Sequence, residues 1–281
     1  MKFGVSTWAF ACPFKDSDIP VLHKIAAMGF DGVEIPLDIE NQFDVKKVGR
    51  VAQDLGLECV VMCYTTDARD TMSPDPQIRE NGFRYLHYCV DTVTALGGKV
   101  IAGLPQLVPG RLYRQTEEQR KREFDLCVKS MRQVTEYAAD HGALLSFEPL
   151  NRFETSIMTK TAEGLALVKA VGHPNIGLNL DTFHMNIEEK DIAAAIESAG
   201  KYLYHFHACE NDRGTPGTGH IPWTAVAAAL KRIGYDRMLS IETYDSRLEP
   251  IGTAGRAWLP FAPDMYGLAS DGLAFLKRLF A

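Results

Sequence analysis

Positive charge is in short supply: 30 Lys and Arg stand against 36 Asp and Glu, a formal net charge of −6. A nucleic-acid partner needs a basic face to release counterions, and an anionic membrane surface needs one too, so neither is expected. No apolar run approaches the ~18 residues of a membrane span. The opening Met1-Lys2-Phe3-Gly4-Val5-Ser6-Thr7-Trp8 carries one basic residue and a short apolar run, unlike a secretory leader. A cytoplasmic location is the expectation. Cysteines number six in 281 residues and none form a Cys-x-x-Cys pair. Such thiols are expected to be reduced and mostly buried, acting as small hydrophobes. Gly/Ser-rich linkers, charge blocks and low-complexity tracts are missing as well, so residues 1–281 are expected to form one domain.

What is present is a rhythm. Short apolar or β-branched runs occur at Lys2–Thr7, Gly32–Leu37, Leu57–Tyr64, Lys99–Leu104, Ala143–Leu150, Ile176–Asp181, Leu203–Ala208 and Met238–Thr243. Between them lie helical patterns with apolar stripes, such as Val21, Ile25 and Met28, or Ile192, Ala195 and Ile196. Thr116 before Glu117-Glu118, and Thr161 before Ala162-Glu163, look like helix starts; Gly29, Gly56, Gly97 and Gly234 look like helix ends. Eight strand–helix units of roughly 35 residues predict an α/β fold, a single (β/α)₈ TIM barrel. An open doubly wound sheet would need a Gly-rich phosphate turn after its first strand, and Ser6-Thr7-Trp8-Ala9-Phe10 is not one.

In such a barrel the C-terminal ends of the strands carry the chemistry. Strands five to eight end on Glu148, Asp181, His207 and Glu242, at steps of 33, 26 and 35 residues, close to one unit each. A lone carboxylate there is commonly a helix cap or a solvated charge. Four ligand-type residues at consecutive strand ends, each in an apolar setting, are better explained by a metal site, because an unpaired buried carboxylate is costly. Three carboxylates and one imidazole favour Mn²⁺, Mg²⁺ or Co²⁺ over structural zinc. His205 shares the strand face of His207 and is expected to be a hydrogen-bonded core residue. His23, His87, His141 and His173 fall in helices or turns and look like surface residues. The Gly214–His220 loop could cradle a phosphate, but it lacks the lysine and helix start of a P-loop.

Asn151-Arg152-Phe153-Glu154, the stretch Leu180-Asp181-Thr182-Phe183-His184-Met185-Asn186-Ile187-Glu188-Glu189, and the loop Gly217-x-Gly219-x-x-Pro222-Trp223 resemble the D-tagatose 3-epimerase family of ketose epimerases. That family lies among the xylose-isomerase-like TIM barrels. The resemblance runs from strand one to the last helix and is densest over residues 146–244. It implies that Glu148, Asp181, His207 and Glu242 hold one divalent ion per chain, Mn²⁺ first and Co²⁺ or Mg²⁺ next. It also implies that Glu148 and Glu242 are the catalytic acid/base pair, and that Glu154, His184 and Arg213 hold the O1/O2 end of the ketose. Ser6, Trp8, Cys63, Leu104 and Tyr244 would line the part of the pocket facing the distal hydroxyls. Here the chain departs from the pattern. Glu242-Thr243-Tyr244 replaces an apolar turn, and Leu104-Pro105-Gln106 and Arg111-Leu112-Tyr113 do not reproduce the aromatic lining of the tagatose enzyme.

The implied reaction inverts C3 of a free ketose of the D-tagatose, D-allulose/D-fructose or L-ribulose type. The C3 hydrogen lies beside the C2 carbonyl and becomes acidic when that oxygen is polarised, giving a cis-enediolate. Inversion then needs a base on one face and an acid on the other. An aldose–ketose isomerase of the hydroxypyruvate isomerase kind, or a lyase or dehydratase acting on an oxidised sugar or cyclitol, would use the same metal shell. An abasic-site endonuclease would want more histidines on strands two to four than Glu34, Tyr64 and Leu104 supply. A sugar-binding barrel without catalysis has no need of two glutamates. Relatives associate as dimers or tetramers, so a homo-oligomer is expected. Trp258, Phe261, Met265 and Tyr266 either pack the last helix or form that interface.

Overall fold

A computed structural model describes residues 1–104 and 112–281, Leu104 by its backbone. Eight strands run β1 (Lys2–Ser6), β2 (Gly32–Leu37), β3 (Glu58–Cys63), β4 (Val100–Leu104), β5 (Leu144–Phe147), β6 (Ile176–Asp181), β7 (Leu203–His207) and β8 (Met238–Ile241). They close into a parallel barrel in sequence order, with β1 pairing β8 from Lys2↔Met238 to Val5↔Ile241. The (β/α)₈ expectation holds. All eight strands fall within the expected runs, trimmed by up to three residues, so Glu148 and Glu242 lie just beyond their strands.

The outer layer contains α1 (Ile19–Met28), α2 (Val45–Asp54), α3 (Pro76–Ala95), α4 (Glu117–Asp140) and α5 (Thr161–Val171). It continues with α6 (Thr182–Glu188), α7 (Ile192–Ala199), α8 (Trp223–Arg232), α9 (Ile251–Ala254) and α10 (Met265–Phe280). The apolar stripes face inward: Val21 and Ile25 on α1, and Ile192, Ala195 and Ile196 on α7, are buried. Thr116 caps α4 as expected, its Oγ accepting from the Gln119 N–H while the Gln119 side chain accepts from the Thr116 N–H. Helix α5 begins at Thr161, as expected. The flanking residue is Lys160, and Glu163 Oε2 turns back to accept the N–H groups of Thr159 and Lys160. Helix α1 stops at Gly29, whose φ of 87° suits a residue without Cβ.

All six thiols are free, and all but Cys12 are buried. Burial pushes the Cys59 and Cys89 thiols up to about 12, so they behave as apolar packing groups. His23 and His141 are exposed, as anticipated, while His87 and His173 are half-buried. Met265 and Tyr266 sit in the first turn of α10. Met265 is buried, Phe261 packs on Tyr244, and Tyr266 stacks on Phe10 at 4.5 Å. Trp258, by contrast, is 73% exposed. Among the described residues no helix is long and apolar enough to cross a membrane.

Candidate metal and catalytic site

Parallel pairing sets the site. The β6–β7 register places Asp181 beside His207 and, one layer deeper, Asn179 beside His205. Partners in register project to the same side, so Asp181 and His207 share the upper layer of the barrel interior. Glu148 and Glu242 reach the same point from the ends of β5 and β8. One ligand atom from each of these four residues lies within 4.8 Å of all the others, and all four residues are buried. His207 Nδ1 is 3.2 Å from Glu148 Oε1 and 3.2 Å from Glu242 Oε2. Asp181 serves two ends at once: Oδ1 caps α6 through the Phe183 N–H at 2.8 Å, while Oδ2 faces the cluster.

Three buried carboxylates so close together demand counter-charge. Arg213 provides some: Nη1 is 2.8 Å from Asp181 Oδ2 and also pairs with Glu242 Oε2. Burial pushes the Glu148 carboxyl up to about 7, against the pull of His207. Burial acts on Glu242 in the same sense, but Arg213 and His207 outweigh it and hold that carboxyl well below its usual range. Burial opposes charging His207, yet Glu34, Glu242 and Glu148 raise it well above the ordinary imidazole value. Hard oxygen donors with one imidazole, in an excess of negative charge, fit a divalent cation.

The three residues assigned to the sugar's O1/O2 end converge beside this cluster. Glu154 is tied by Asn151 Nδ2 at 2.9 Å, and the Asn151 backbone N–H donates to His184 Nδ1 at 3.2 Å. With Nδ1 accepting, His184 presents Nε2–H toward Asp181 Oδ2 at 3.6 Å. Burial and the neighbouring Arg213 depress the His184 pKa well below normal, so the ring is neutral. The Asn151–Glu154 turn is itself anchored by Glu188, which accepts Arg152 Nε at 2.8 Å and Nη2 at 3.0 Å. Arg213 adopts a left-handed φ of 65°, lies over the Phe183 ring at 4.3 Å, and accepts Thr243 Oγ1 on its carbonyl at 2.7 Å.

A cavity of about 80 Å³ opens onto the cluster, lined by Glu148, Glu154, His184, Arg213 and Glu242 together with Trp8, Cys63, Tyr64 and Tyr244, which form its less charged wall. Ser6 does not join that wall. It is buried at the end of β1, its hydroxyl accepting the Trp8 N–H at 3.4 Å. The side chain of Leu104, with Pro105, Gln106 and Arg111, lies outside the described residues. His205 is the hydrogen-bonded core histidine expected, its Nε2 2.8 Å from Glu34 Oε2. The glycine loop is not shaped as a phosphate cradle, because the Gly217 amide and the donors flanking the loop already hold a carboxylate of the chain itself. Buried Glu210 accepts Gly217 N–H at 2.8 Å, Ile221 N–H at 3.1 Å, Asn211 N–H at 3.2 Å and Trp223 Nε1 at 2.9 Å.

Sequence reasoning missed four partnerships: Glu34 with His207, Glu210 with the glycine loop, Glu188 with Arg152, and Asp38 with the Trp8 indole at 3.1 Å. For Glu34 a signal existed. A carboxylate at the third position of the buried run Gly-Val-Glu-Ile-Pro-Leu must find a partner inside the barrel.

A profile for the xylose isomerase-like TIM barrels matches residues 22–278. A probable ketose 3-epimerase of Synechocystis sp. is 31% identical over 281 residues, covering 100% of this chain and 97% of the relative. An L-ribulose 3-epimerase of Methylomonas sp. is 33% identical over 91% of this chain and 89% of its own length. The crystal structure of a Methylomonas sp. D-allulose 3-epimerase in complex with D-allulose superposes with a TM-score of 0.92. It is 31% identical and covers 99% of this chain and 96% of that one.

Proposed function

Since the chain belongs to the ketose 3-epimerases of the xylose isomerase-like TIM barrel family, we propose that it inverts C3 of free ketoses with a two-glutamate acid/base pair. The candidate substrates are of the D-tagatose, D-allulose/D-fructose or L-ribulose type. The observation that carries this reading is the convergence of Glu148, Asp181, His207 and Glu242 within 4.8 Å beneath a cavity walled by Glu154, His184 and Arg213. One divalent ion held by the four, Mn²⁺ first, would polarise the ketose oxygens next to C3 and acidify the C3–H bond. Glu148 and Glu242 come from separate strands and serve the two faces of C3: one removes the proton and the other delivers one from the far side, with roles exchanged in the reverse direction. His184, neutral with Nε2–H forward, and the Arg213 guanidinium donate to the O1/O2 end, while Glu154 accepts from a hydroxyl. The less charged wall of Trp8, Cys63, Tyr64 and Tyr244 is the part of the cavity left to exclude water and to sort ketoses by their distal hydroxyls.

The test is a ketose panel in D₂O with products identified. Deuterium entering at C3 with formation of the C3 epimer is expected; entry at C1 with an aldose product would hand the site to an aldose–ketose isomerase. Glu148→Gln and Glu242→Gln should each suppress inversion by the ~10²–10⁴-fold typical of general acid–base groups. Inversion persisting near the wild-type rate in either variant would refute the pair.

For assembly, exposed Trp258 and Leu259, 73% and 76% accessible, are the part of the Trp258–Tyr266 region suited to a homodimer contact. A monomer at micromolar concentration in sedimentation would remove that assignment.

A further inference from the structure

Glu34 has no place in the mechanism above, yet it is completely buried beneath the ligand cluster. It rises from β2, 173 residues from His207 in sequence, and its Oε2 is 3.0 Å from His207 Nε2. The same oxygen is 2.8 Å from His205 Nε2. His207 therefore has two distinct sides. Nε2 faces Glu34, while Nδ1 faces Glu148 and Glu242, each at 3.2 Å. An ionised carboxylate only accepts, so the hydrogen between His207 and Glu34 belongs to Nε2. An imidazole that keeps its hydrogen on Nε2 can give up the Nδ1 proton to an arriving ion and coordinate through that nitrogen, the side on which the three other ligands converge.

We propose that Glu34 is a positioning residue that holds the His207 ring by Nε2–H, so that Nδ1 is the atom turned toward the ion. The inference rests on the metal reading and goes beyond it by assigning the coordinating nitrogen and the residue that fixes it. Glu34 works from outside the ligand shell, as carboxylates paired with metal-bound histidines do. His205, hydrogen-bonded to the same oxygen, keeps Glu34 from swinging toward another partner. The rival account is that Glu34 only neutralises two buried imidazoles and contributes to folding. A further rival is that Glu34, His205 and His207, which also lie within 4.8 Å of one another, hold an ion of their own.

The experiment titrates chelator-stripped wild type, Glu34→Gln and Glu34→Ala with Mn²⁺, reading free Mn²⁺ by electron paramagnetic resonance and folding by circular dichroism. It is paired with ¹⁵N-histidine spectra of Mg²⁺-loaded wild type. The expected result is one ion per wild-type chain and a 10–100-fold weaker affinity in folded Glu34→Ala, the loss typical of an outer-shell partner. Glu34→Gln should fall between, because its amide oxygen still accepts but carries no charge. His207 should show the Nε2–H tautomer. Unchanged Mn²⁺ affinity in the folded variants, or an Nδ1–H tautomer, would overturn the positioning role even if melting temperatures fall. Two ions per wild-type chain would make Glu34 a ligand and overturn it as well. Wild type that takes up no Mn²⁺ would overturn the metal reading itself, a result separable from the others. If Glu34→Ala does not fold, the glutamine variant and the wild-type spectra decide.

Discussion

Removing one charge from Glu210 should unlatch the loop that carries Arg213. Each carboxylate oxygen receives two donors: Oε2 from Gly217 N–H and Trp223 Nε1, Oε1 from Ile221 N–H and Asn211 N–H. In Glu210→Gln one end becomes an amide NH₂, which cannot accept. Whichever way the amide is turned, two donors lose their partner. An orphaned buried donor costs about 1–3 kcal/mol, so the closed loop should lose about 2–6 kcal/mol. Because the loop can open to water without unfolding the barrel, the loss should appear locally. At the lower bound, amide hydrogen exchange at Gly217 and Ile221 should accelerate by about 30-fold, since about 1.4 kcal/mol is a factor of ten. An open loop lets Arg213 leave Asp181 and Glu242, so kcat/KM should fall while bound metal is retained. Burial tends to raise the Glu210 carboxyl, but its donors win and lower it. The clamp is therefore fully present above the ordinary glutamate pKa and is lost as pH falls through the lowered folded-state value. Exchange at Gly217 and Ile221 unchanged in folded Glu210→Gln would refute the reasoning.

Gly219→Ala should mimic that variant, since a Cβ there would sit 2.0 Å from Asn211 Oδ1 and 2.6 Å from Glu210 Oε1; hydrogen exchange over the loop checks it. Asp181→Ala should lose the ion, and metal analysis finding stoichiometric Mn²⁺ after gel filtration would count against the ligand set. Asp38 is pushed up to about 6 by burial, only partly offset by the Trp8 indole. The folded chain thus holds an extra proton between about pH 4 and 6, and stability falls as pH rises through that window. Asp38→Asn keeps the acceptor for Trp8 and should stabilise the protein by about 1–3 kcal/mol at pH 7–8 and by little at pH 4. Parallel urea curves for the two proteins at both pH values test this, and an equal gain at pH 4 would reject it.

The strands were legible because each is a short apolar run bounded by helical periodicity, and in a parallel barrel every strand is buried on both faces. Glu148, Asp181, His207 and Glu242 were legible for a related reason. A ligand-type side chain that closes an apolar run once per strand–helix unit is costly to bury unless an ion or a charged partner meets it. Glu154, His184 and Arg213 could be placed beside the four because they follow strands five, six and seven, but their role toward the sugar came through the resemblance, and nothing in their spacing says that Asn151 joins two of them. Thr161 was legible as a helix start, but the capping was not, because Glu163 turns back from inside the helix onto the Thr159 and Lys160 amides.

Composition and pattern alone determined the strand order, the barrel and the four residues at its mouth, because βα repetition ties position in the chain to position around the ring. The tertiary structure alone decided the partners across that ring. Barrel closure faces β2 toward β7 across the interior, so Glu34 meets a histidine 173 residues away. The folded loop turns four donors onto Glu210, and the cavity wall takes Trp8 and Tyr244 but not Ser6. Such contacts depend on register and side-chain reach in three dimensions, and neither has a period that a linear sequence displays.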